Sequence, residues 1–236
     1  TATYGYIRDW NTSAVTNMSN AFKDRAAFNE DISRWDVSAV TTMRDMFNGA
    51  AAFNQPIGDW NVSLVRNLTN TFRGASAFNQ PIGGWNVSSV IIMRGLFQDA
   101  ASFNQPIGNW DVSAVTNMAS MLEDAASFNQ YIGNWDVSAV TSMTNMFYGA
   151  NTFNQPIGDW KVFSVTYMNY MFAAVAAFNQ SVGNWDISGV KHMNGMFEKA
   201  LSLSSANKGL IHASFSNNPN WPYDWSEFVV PSNFAP

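Results

Sequence analysis

Acidic and amide side chains stand on both sides of a tryptophan that recurs every 25 residues. The column before the tryptophan contains Asp9, Arg34, Asp59, Gly84, Asn109, Asn134, Asp159 and Asn184, and the column after it contains Asn11, Asp36, Asn61, Asn86, Asp111, Asp136, Lys161 and Asp186. The two columns hold seven acids and two bases, and the rest of the chain holds ten of each, so the columns account for the net charge of −5. Such a surface can attract and hydrogen-bond a protein or a glycan.

We therefore predict that these columns form a ligand-binding face on the outward positions of a repeated strand. The residues assigned to this face are Asp9, Asp36, Asp59, Asn61, Asn86, Asn109, Asp111, Asn134, Asp136, Asp159, Lys161 and Asp186. The alternative interpretation is structural, because Asp and Asn keep an exposed parallel sheet soluble and discourage pairing at its edges. The sequence leaves both interpretations open.

A cation site is a further interpretation of the same residues. Asp111 and Asp136 would be neighbouring carboxylates with Asn109 and Asn134 beside them, and oxygens of this kind can bind calcium. Lys161 would neutralise the same region equally well. We therefore predict no metal ion and no cofactor.

The seventh copy departs from the others. Lys161 and Phe163 occupy the places of Asp and Ser, and Tyr167 and Tyr170 follow. A partner footprint and sequence drift both explain the change, and we favour drift.

The columns must be positioned by copies of one repeat, of which FNQPIGNWDVSAVTNM at residues 103–118 is an example. Its tryptophan recurs with no insertion or deletion at Trp10, Trp35, Trp60, Trp85, Trp110, Trp135, Trp160 and Trp185. A period this regular indicates a repeat protein whose units stack around a continuous core.

The first half of each repeat is predicted to be a short strand. Ile57, Trp60 and Val62 have the spacing I-x-x-W-x-V, which matches the L-x-x-L-x-L signature of leucine-rich repeats. Bulky and β-branched residues at these places favour extended structure. The strand is assigned to residues 58–63.

The second half is predicted to be a short helix. Val65, Leu68 and Phe72 fall at i, i+3 and i+7, which is the spacing of one helical face, and Ser63 is placed as its N-cap. The predicted fold class is therefore an α/β repeat, a leucine-rich-repeat-like solenoid of about eight 25-residue coils, each with a short parallel strand and a short helix.

An asparagine follows the first phenylalanine of most copies. These residues are Asn29, Asn54, Asn79, Asn104, Asn129, Asn154 and Asn179. A buried amide at this place can bond the backbone of its own coil and the next one, so the column predicts an asparagine ladder.

A single domain is predicted, in which residues 1–203 form the repeat solenoid and residues 204–236 form a C-terminal cap. In the first coil, Thr3 and Tyr4 replace the usual Phe and Asn, as expected of a terminal unit. In the cap, Ser204 or Ser205 is predicted to start a helix that runs through Phe215.

The cap is expected to close the last coil. Leu210 and Ile211 should contact that coil, and an irregular lid containing Trp221, Tyr223 and Trp225 should pack over it. The alternative for these three aromatic side chains is stacking on a sugar or a partner.

Composition argues against several classes of protein. The negative net charge disfavours nucleic acid as a partner, and no apolar run approaches the roughly 20 residues of a membrane span. With no cysteine and only two histidines, His192 and His212, the chain shows no catalytic triad or metal spacing, so we predict that it is not an enzyme. Because the chain opens in phase with the repeat, we expect that a leader was removed or that the numbering starts inside a longer precursor.

The repeated unit FNQPIGNWDVSAVTNMxxMF resembles that of the BspA-like leucine-rich-repeat surface proteins, a repeat also found as a domain of unknown function in mycoplasma lipoproteins. The resemblance covers Tyr4 to about Ala200, and the tail ANKGLIHASFSNNPNWPYDW is similar to the end of such arrays. It implies a secreted or cell-surface protein that acts in adhesion or partner binding, with no catalytic residues. The repeat lacks the asparagine that ordinary leucine-rich repeats place after the strand, so its curvature is expected to differ.

The leading functional hypothesis is a non-enzymatic cell-surface or extracellular binding module that contacts a protein or glycan through its acidic face. The alternative is a structural spacer or subunit of an extracellular assembly. An ice-facing or mineral-facing lattice ranks below both, because the outward columns are rich in Asp and Asn instead of Thr.

Overall fold

The computed structural model describes residues 5–230, so the terminal residues Thr3 and Tyr4 lie outside the described part. Eight 25-residue coils, numbered 1 to 8 by their tryptophans, lie one against the next. Within residues 5–230, the only α-helix is α1 (Ser205–Phe215), and short 3-10 helices cover Ile7–Asp9 and Ser226–Phe228. In that same range no helix has the length and apolar character needed to cross a membrane.

The coils are joined by isolated parallel bridges. The bridges link Asn17, Thr42, Asn67, Ile92, Asn117, Ser142, Tyr167 and His192, each to its equivalent in the next coil. No longer strand forms among the described residues. The predicted α/β fold class, with a strand and a helix in every coil, is therefore wrong: the coils are built from turns.

The local assignments are corrected in the same way. Residues 58–63, predicted as a strand, contain turns and make no bridge, and the bridge of this coil lies at Asn67, inside the predicted helix. Ser63 is not a helix N-cap. Its N–H bonds Oδ1 of Asn61 in a turn (3.2 Å).

Positive φ angles explain why no helix forms. Every coil has two residues with φ above 50°, four positions apart, such as Asn70 (53°) and Gly74 (66°). The pairs are Asn20 and Asp24, Asp45 and Gly49, Asn70 and Gly74, Gly95 and Asp99, Ser120 and Asp124, Asn145 and Gly149, Tyr170 and Ala174, and Gly195 and Lys199. An α-helix requires negative φ throughout, and Asn, Asp and Gly are the residues that most readily leave that region.

The backbone hydrogen bonds of this segment run between coils. Leu68 N–H donates to the Ile92 carbonyl at 3.0 Å, and Phe72 N–H donates to the Leu96 carbonyl at 2.9 Å. The same pattern recurs in the other coils, so each coil satisfies backbone groups of its neighbour. Most of the structure is therefore held by contacts between residues about 25 positions apart.

The apolar columns form one continuous core. Phe47 stacks on Phe53 of its own repeat with ring centroids 3.9 Å apart and on Phe72 of the next coil at 5.5 Å. Seven of the eight repeated tryptophans are buried, and Trp10 is 46% exposed. These seven tryptophans lie inside the stack at matching heights, and the ring centroids of neighbours such as Trp135 and Trp160 are 6.3 Å apart.

The glycine before the outward columns is required by close packing. A Cβ added to Gly58 would overlap the carbonyl oxygen of Pro81 in the next coil. Gly83 has the same relationship to the carbonyl of Pro106. The sequence Ile-Gly therefore marks the point where one coil presses its backbone against the next.

The asparagine ladder between coils is confirmed, but its side chains are half-buried or exposed instead of buried, and the bonds run to the next coil. Oδ1 of Asn54 accepts the N–H of Asn79 (3.0 Å) and the side-chain amide of Gln80 (3.0 Å). The bonds to the glutamine were not anticipated. At the last coil, Asn179 makes the equivalent bonds to Ser204 N–H (2.9 Å) and to the Asn207 amide (2.8 Å), so helix α1 continues the ladder.

The C-terminal helix is confirmed as predicted, because Ser204 caps α1 by accepting the N–H of Asn207 (3.3 Å) and the helix ends at Phe215. Ile211 is buried as expected. Leu210 is 58% exposed, and it contacts the last coil through its backbone carbonyl, which lies against Gly183.

The aromatic lid packs over the last coil. Trp221, Tyr223 and Trp225 lie with their ring centroids 5.6–6.3 Å from that of Phe197. The hydroxyl oxygen of Tyr223 accepts the Phe197 N–H (2.9 Å), a backbone group that another coil would otherwise satisfy. The predicted packing role of these side chains is confirmed.

Candidate binding surface

The predicted binding residues all lie at the surface, on either side of the tryptophan column. The exposed residues are Asp9, Asp36, Asp59, Asn61, Asn86, Asn109, Asp111, Asn134, Asp136, Asp159, Lys161 and Asp186. They are carried on turns and connecting segments, so the predicted strand face does not exist. We call the two exposed columns, from Asp9 to Asp186, the acidic strip.

The column after the tryptophan has a local structural role that the sequence analysis missed. Oδ1 of Asp111 accepts both the N–H of Ser113 (3.1 Å) and its hydroxyl (2.6 Å). The equivalent N–H bond forms in the pairs Asn11 and Ser13, Asp36 and Ser38, Asn61 and Ser63, Asn86 and Ser88, Asp136 and Ser138, and Asp186 and Ser188. The spacing Asp/Asn-x-Ser is the signal for such a turn.

These turns favour the ionised form of the carboxyls in the column after the tryptophan. Hydrogen bonds from the side chain and then the backbone of Ser113 lower the pKa of Asp111, although the neighbouring charge of Asp136 opposes the shift. The serines two residues after Asp36, Asp136 and Asp186 lower the pKa of those carboxyls in the same way. The hydrogen bonds involve Oδ1, which leaves Oδ2 available to a partner.

The carboxylates of the strip are spread along the stack and are not gathered into a cage. Among residues 5–230, no three or more His, Cys, Asp or Glu side chains are placed to hold a metal ion. The arrangement of Asp111 and Asp136, each bonded to its own serine, suits hydrogen bonding along a surface.

The strip changes character at coil 7. Lys161 has no side-chain oxygen, so it cannot accept the N–H two residues later as Asp and Asn do in the other coils, although the backbone turn at Phe163 is the same. A pocket of about 270 Å³ lies here between coils 7 and 8, lined by Gly158, Asp159, Trp160, Lys161, Val162, Phe163, Asn184 and Asp186. The structure thus brings four strip residues of two coils together around one opening.

Further aromatic residues of coil 7 pack on coil 8. Tyr167 stacks on His192 with ring centroids 4.7 Å apart and nearly parallel planes. The ring of Tyr170 fills the space that a side chain on Gly195 would need. His212 lies in the cap, where its Nδ1 accepts the indole N–H of Trp221 (3.1 Å).

These features define a repeat protein of stacked, turn-built coils with an exposed acidic strip. The chain belongs to the family described as "Mycoplasma protein of unknown function, DUF285", whose model matches residues 1–107, 56–151 and 93–209. The three overlapping matches reflect the internal repeat. A comparison with curated proteins found no match.

Proposed function

We propose that the protein is a non-enzymatic binding module of the BspA-like kind, located at a cell surface or outside the cell, which contacts a protein or glycan through the acidic strip. The observation that carries this proposal is the strip itself: twelve predicted contact residues are all exposed, along a stack with a fixed 25-residue repeat. Repeat proteins commonly use such extended surfaces for binding.

Rigidity supports this proposal, because a surface that is ordered before binding loses less entropy when a partner arrives. The indole N–H of Trp110 donates to the carbonyl of Ile82 in the preceding coil (3.1 Å), and five other tryptophans make the equivalent bond. Trp60 departs from this pattern, since its buried indole N–H has no hydrogen-bond partner among residues 5–230. The columns are therefore tied to the core at nearly every coil.

The charge of the strip also supports a particular kind of partner. A surface with seven acids and two bases suits a basic protein patch or hydroxyl groups that donate hydrogen bonds. Because the pKa values of Asp36, Asp111 and Asp136 are lowered, the attraction of these carboxylates should persist into mildly acidic solution.

The experiment removes charge and preserves the turns. Asn already occupies the Asp place in Asn61 and Asn86 and accepts the same hydrogen bond. The test protein therefore carries Asp36→Asn, Asp59→Asn, Asp111→Asn and Asp136→Asn. The control carries the same loss of charge outside the strip, through Glu30→Gln, Glu123→Gln, Glu198→Gln and Glu227→Gln. Both are compared with the unmodified chain on a glycan array and on arrayed extracellular proteins.

The proposal expects at least a tenfold loss of binding in the strip variant, which corresponds to about 1.4 kcal/mol, and little loss in the control. Equal binding by all three proteins would contradict it. In that case, loss of assembly on Trp221→Ala would favour the structural role instead.

A further inference from the structure

The pocket between coils 7 and 8 differs from the rest of the strip in the groups it offers. Asp159 and Asp186 supply carboxylate acceptors, Lys161 supplies an ammonium donor, and Asn184 supplies both kinds of group. The neighbouring coils place a serine where this coil places Phe163. Hydrogen-bond donors and acceptors thus line the same pocket as an apolar ring.

The ring of Phe163 is available for stacking. Its side chain is 53% exposed and lines the pocket, whereas the phenylalanines of the core are almost completely buried. About half of this residue is therefore open to solvent. It offers a flat apolar surface at the mouth of a polar pocket.

The backbone of Phe163 contributes a free donor. In the other coils the N–H at this place bonds the Asp or Asn two residues earlier, as in Ser138 and Asp136 (3.0 Å). Lys161 cannot accept such a bond, and among the described residues the Phe163 N–H has no hydrogen-bond partner. The change of two residues therefore combines an exposed ring with a backbone donor that lacks the hydrogen bond made in the other coils.

We infer that this pocket binds a single uncharged pyranose ring of a glycan, an inference that rests on the proposed function and names its ligand class. A pyranose presents a face of C–H groups, which packs on an aromatic ring, and a rim of hydroxyls, each of which both donates and accepts. Phe163 provides the first contact. Hydrogen bonds to the hydroxyl rim come from Asp159, Asp186, Asn184, Lys161 and the Phe163 N–H.

The size and charge of the pocket narrow the ligand further. Its volume of about 270 Å³ lies just below the range of about 300–1,000 Å³ that is typical of small-molecule pockets, which suits one ring. The lining carries two carboxylates, from Asp159 and Asp186, and one ammonium, from Lys161, so its net charge is negative and an anionic sugar would meet net repulsion. A neutral hexose or N-acetylhexosamine fits both features.

The test restores the pattern of the other coils. The double variant Lys161→Asp with Phe163→Ser recreates the Asp-Val-Ser turn already present in coils 2, 5 and 6, so it is expected to fold. Saturation-transfer NMR measures binding of the methyl pyranosides of glucose, galactose, mannose and N-acetylglucosamine to the full chain. Phe163→Ala is a second variant, which removes only the ring.

The expected result is saturation transfer from the unmodified chain to at least one pyranoside, its loss in the double variant, and about tenfold weaker binding in Phe163→Ala. No transfer to any pyranoside, or transfer that the double variant retains, would overturn the inference. If the strip binds a peptide or protein partner but the chain binds no pyranoside, the inference of a pyranose pocket is overturned and the proposed function stands. The strip variant of the preceding test leaves every residue of this pocket unchanged, so the two failures are distinguishable.

Discussion

Asn70 donates a hydrogen bond from Nδ2 to Oδ1 of Asp45 (3.1 Å), and the bond joins two neighbouring coils through a buried carboxylate. Asp45 is 4% exposed and also accepts from the Asn48 amide (2.7 Å) and the Arg44 guanidinium (3.1 Å). Three donors around one carboxylate stabilise its charged form. A buried charge therefore contributes to holding the stack together in place of an apolar contact.

Replacing Asp45 with Asn should destabilise the fold at neutral pH by about 1–3 kcal/mol, because three donors lose a charged acceptor. Burial alone would raise the pKa of Asp45, but the bonds from Asn48, Asn70 and Arg44 lower it overall. The folded-state pKa is thus below the unfolded value of about 4. The stabilisation is present above that pH and is lost as pH falls through the folded-state pKa. Urea unfolding of both proteins between about pH 3 and 7 measures it.

A suitable control is Asp99→Asn, because Asp99 also has a positive φ (59°) but is exposed and lies 3.9 Å from Arg73 in a surface ion pair. Exposed ion pairs of this kind contribute little to the free energy of unfolding. The prediction for Asp45 is wrong if its variant differs from the unmodified protein by the same amount at every pH.

Replacing Ala174 with Gly should stabilise the protein by about 0.5–1 kcal/mol. Ala174 has a φ of 57°, which strains a residue with a Cβ more than it strains glycine. Part of that gain is offset by the greater freedom of glycine in the unfolded chain. The urea midpoint measures the change, provided that the slope of the unfolding free energy against urea concentration stays the same.

The adjacent residue provides the matched control. Ala173 is buried and is absent from the positive-φ set, so Ala173→Gly should destabilise the protein by about 0.5–1 kcal/mol. If both glycine substitutions shift the midpoint in the same direction, backbone strain at Ala174 is not the cause.

The sequence predicted how the coils follow one another but not how each coil is built. The period, the inward tryptophans and the asparagine ladder follow directly from equal spacing, because stacked copies must place equivalent residues in contact. Val65, Leu68 and Phe72 have the spacing of a helical face. The helix nevertheless does not form, because Asn70 and Gly74 adopt positive φ angles. Asn, Asp and Gly at two places four residues apart were the available signal.

The candidate site shows the same division. The exposure of the two acidic columns could be predicted from alternation around the tryptophan. The turns could have been predicted from Asp or Asn two residues before Ser. The pocket beside Phe163 could not be predicted from the sequence. Its walls come from Asp159 in one coil and Asn184 in the next, and the distance between these residues depends on how the two coils pack.

Replacing Asp124 with Asn should stabilise the protein slightly at neutral pH. Burial raises the pKa of Asp124, and the charges of Asp99 and Glu123 raise it further. The folded state is therefore favoured when this carboxyl is protonated, and that advantage is lost as pH rises through the raised pKa. Because Asp124 is only partly buried and solvent screens the repulsion, the gain should be only about 0.3 kcal/mol.

The measurement is a comparison of urea midpoints at about pH 7 and pH 3. Asn readily adopts the positive φ of 54° that Asp124 has, so the substitution leaves the backbone unchanged. Asp59→Asn serves as a control for removing one exposed charge. A gain from Asp124→Asn that is larger at the lower pH would contradict the assigned cause.

Replacing Asn104 with Ala should break one step of the asparagine ladder and destabilise the protein by about 1–2 kcal/mol. Oδ1 of Asn104 accepts the N–H of Asn129 (3.0 Å) and the amide of Gln130 (3.0 Å), and both donors are half-buried. Without that oxygen the two donors lose their partner where water has only partial access. Asn109→Ala, in the exposed strip of the same coil, removes a similar amide and should change stability by less than about 0.5 kcal/mol. Thermal and urea unfolding of the two variants should therefore rank Asn104→Ala well below Asn109→Ala, and equal stabilities would mean that the ladder does not hold the coils together.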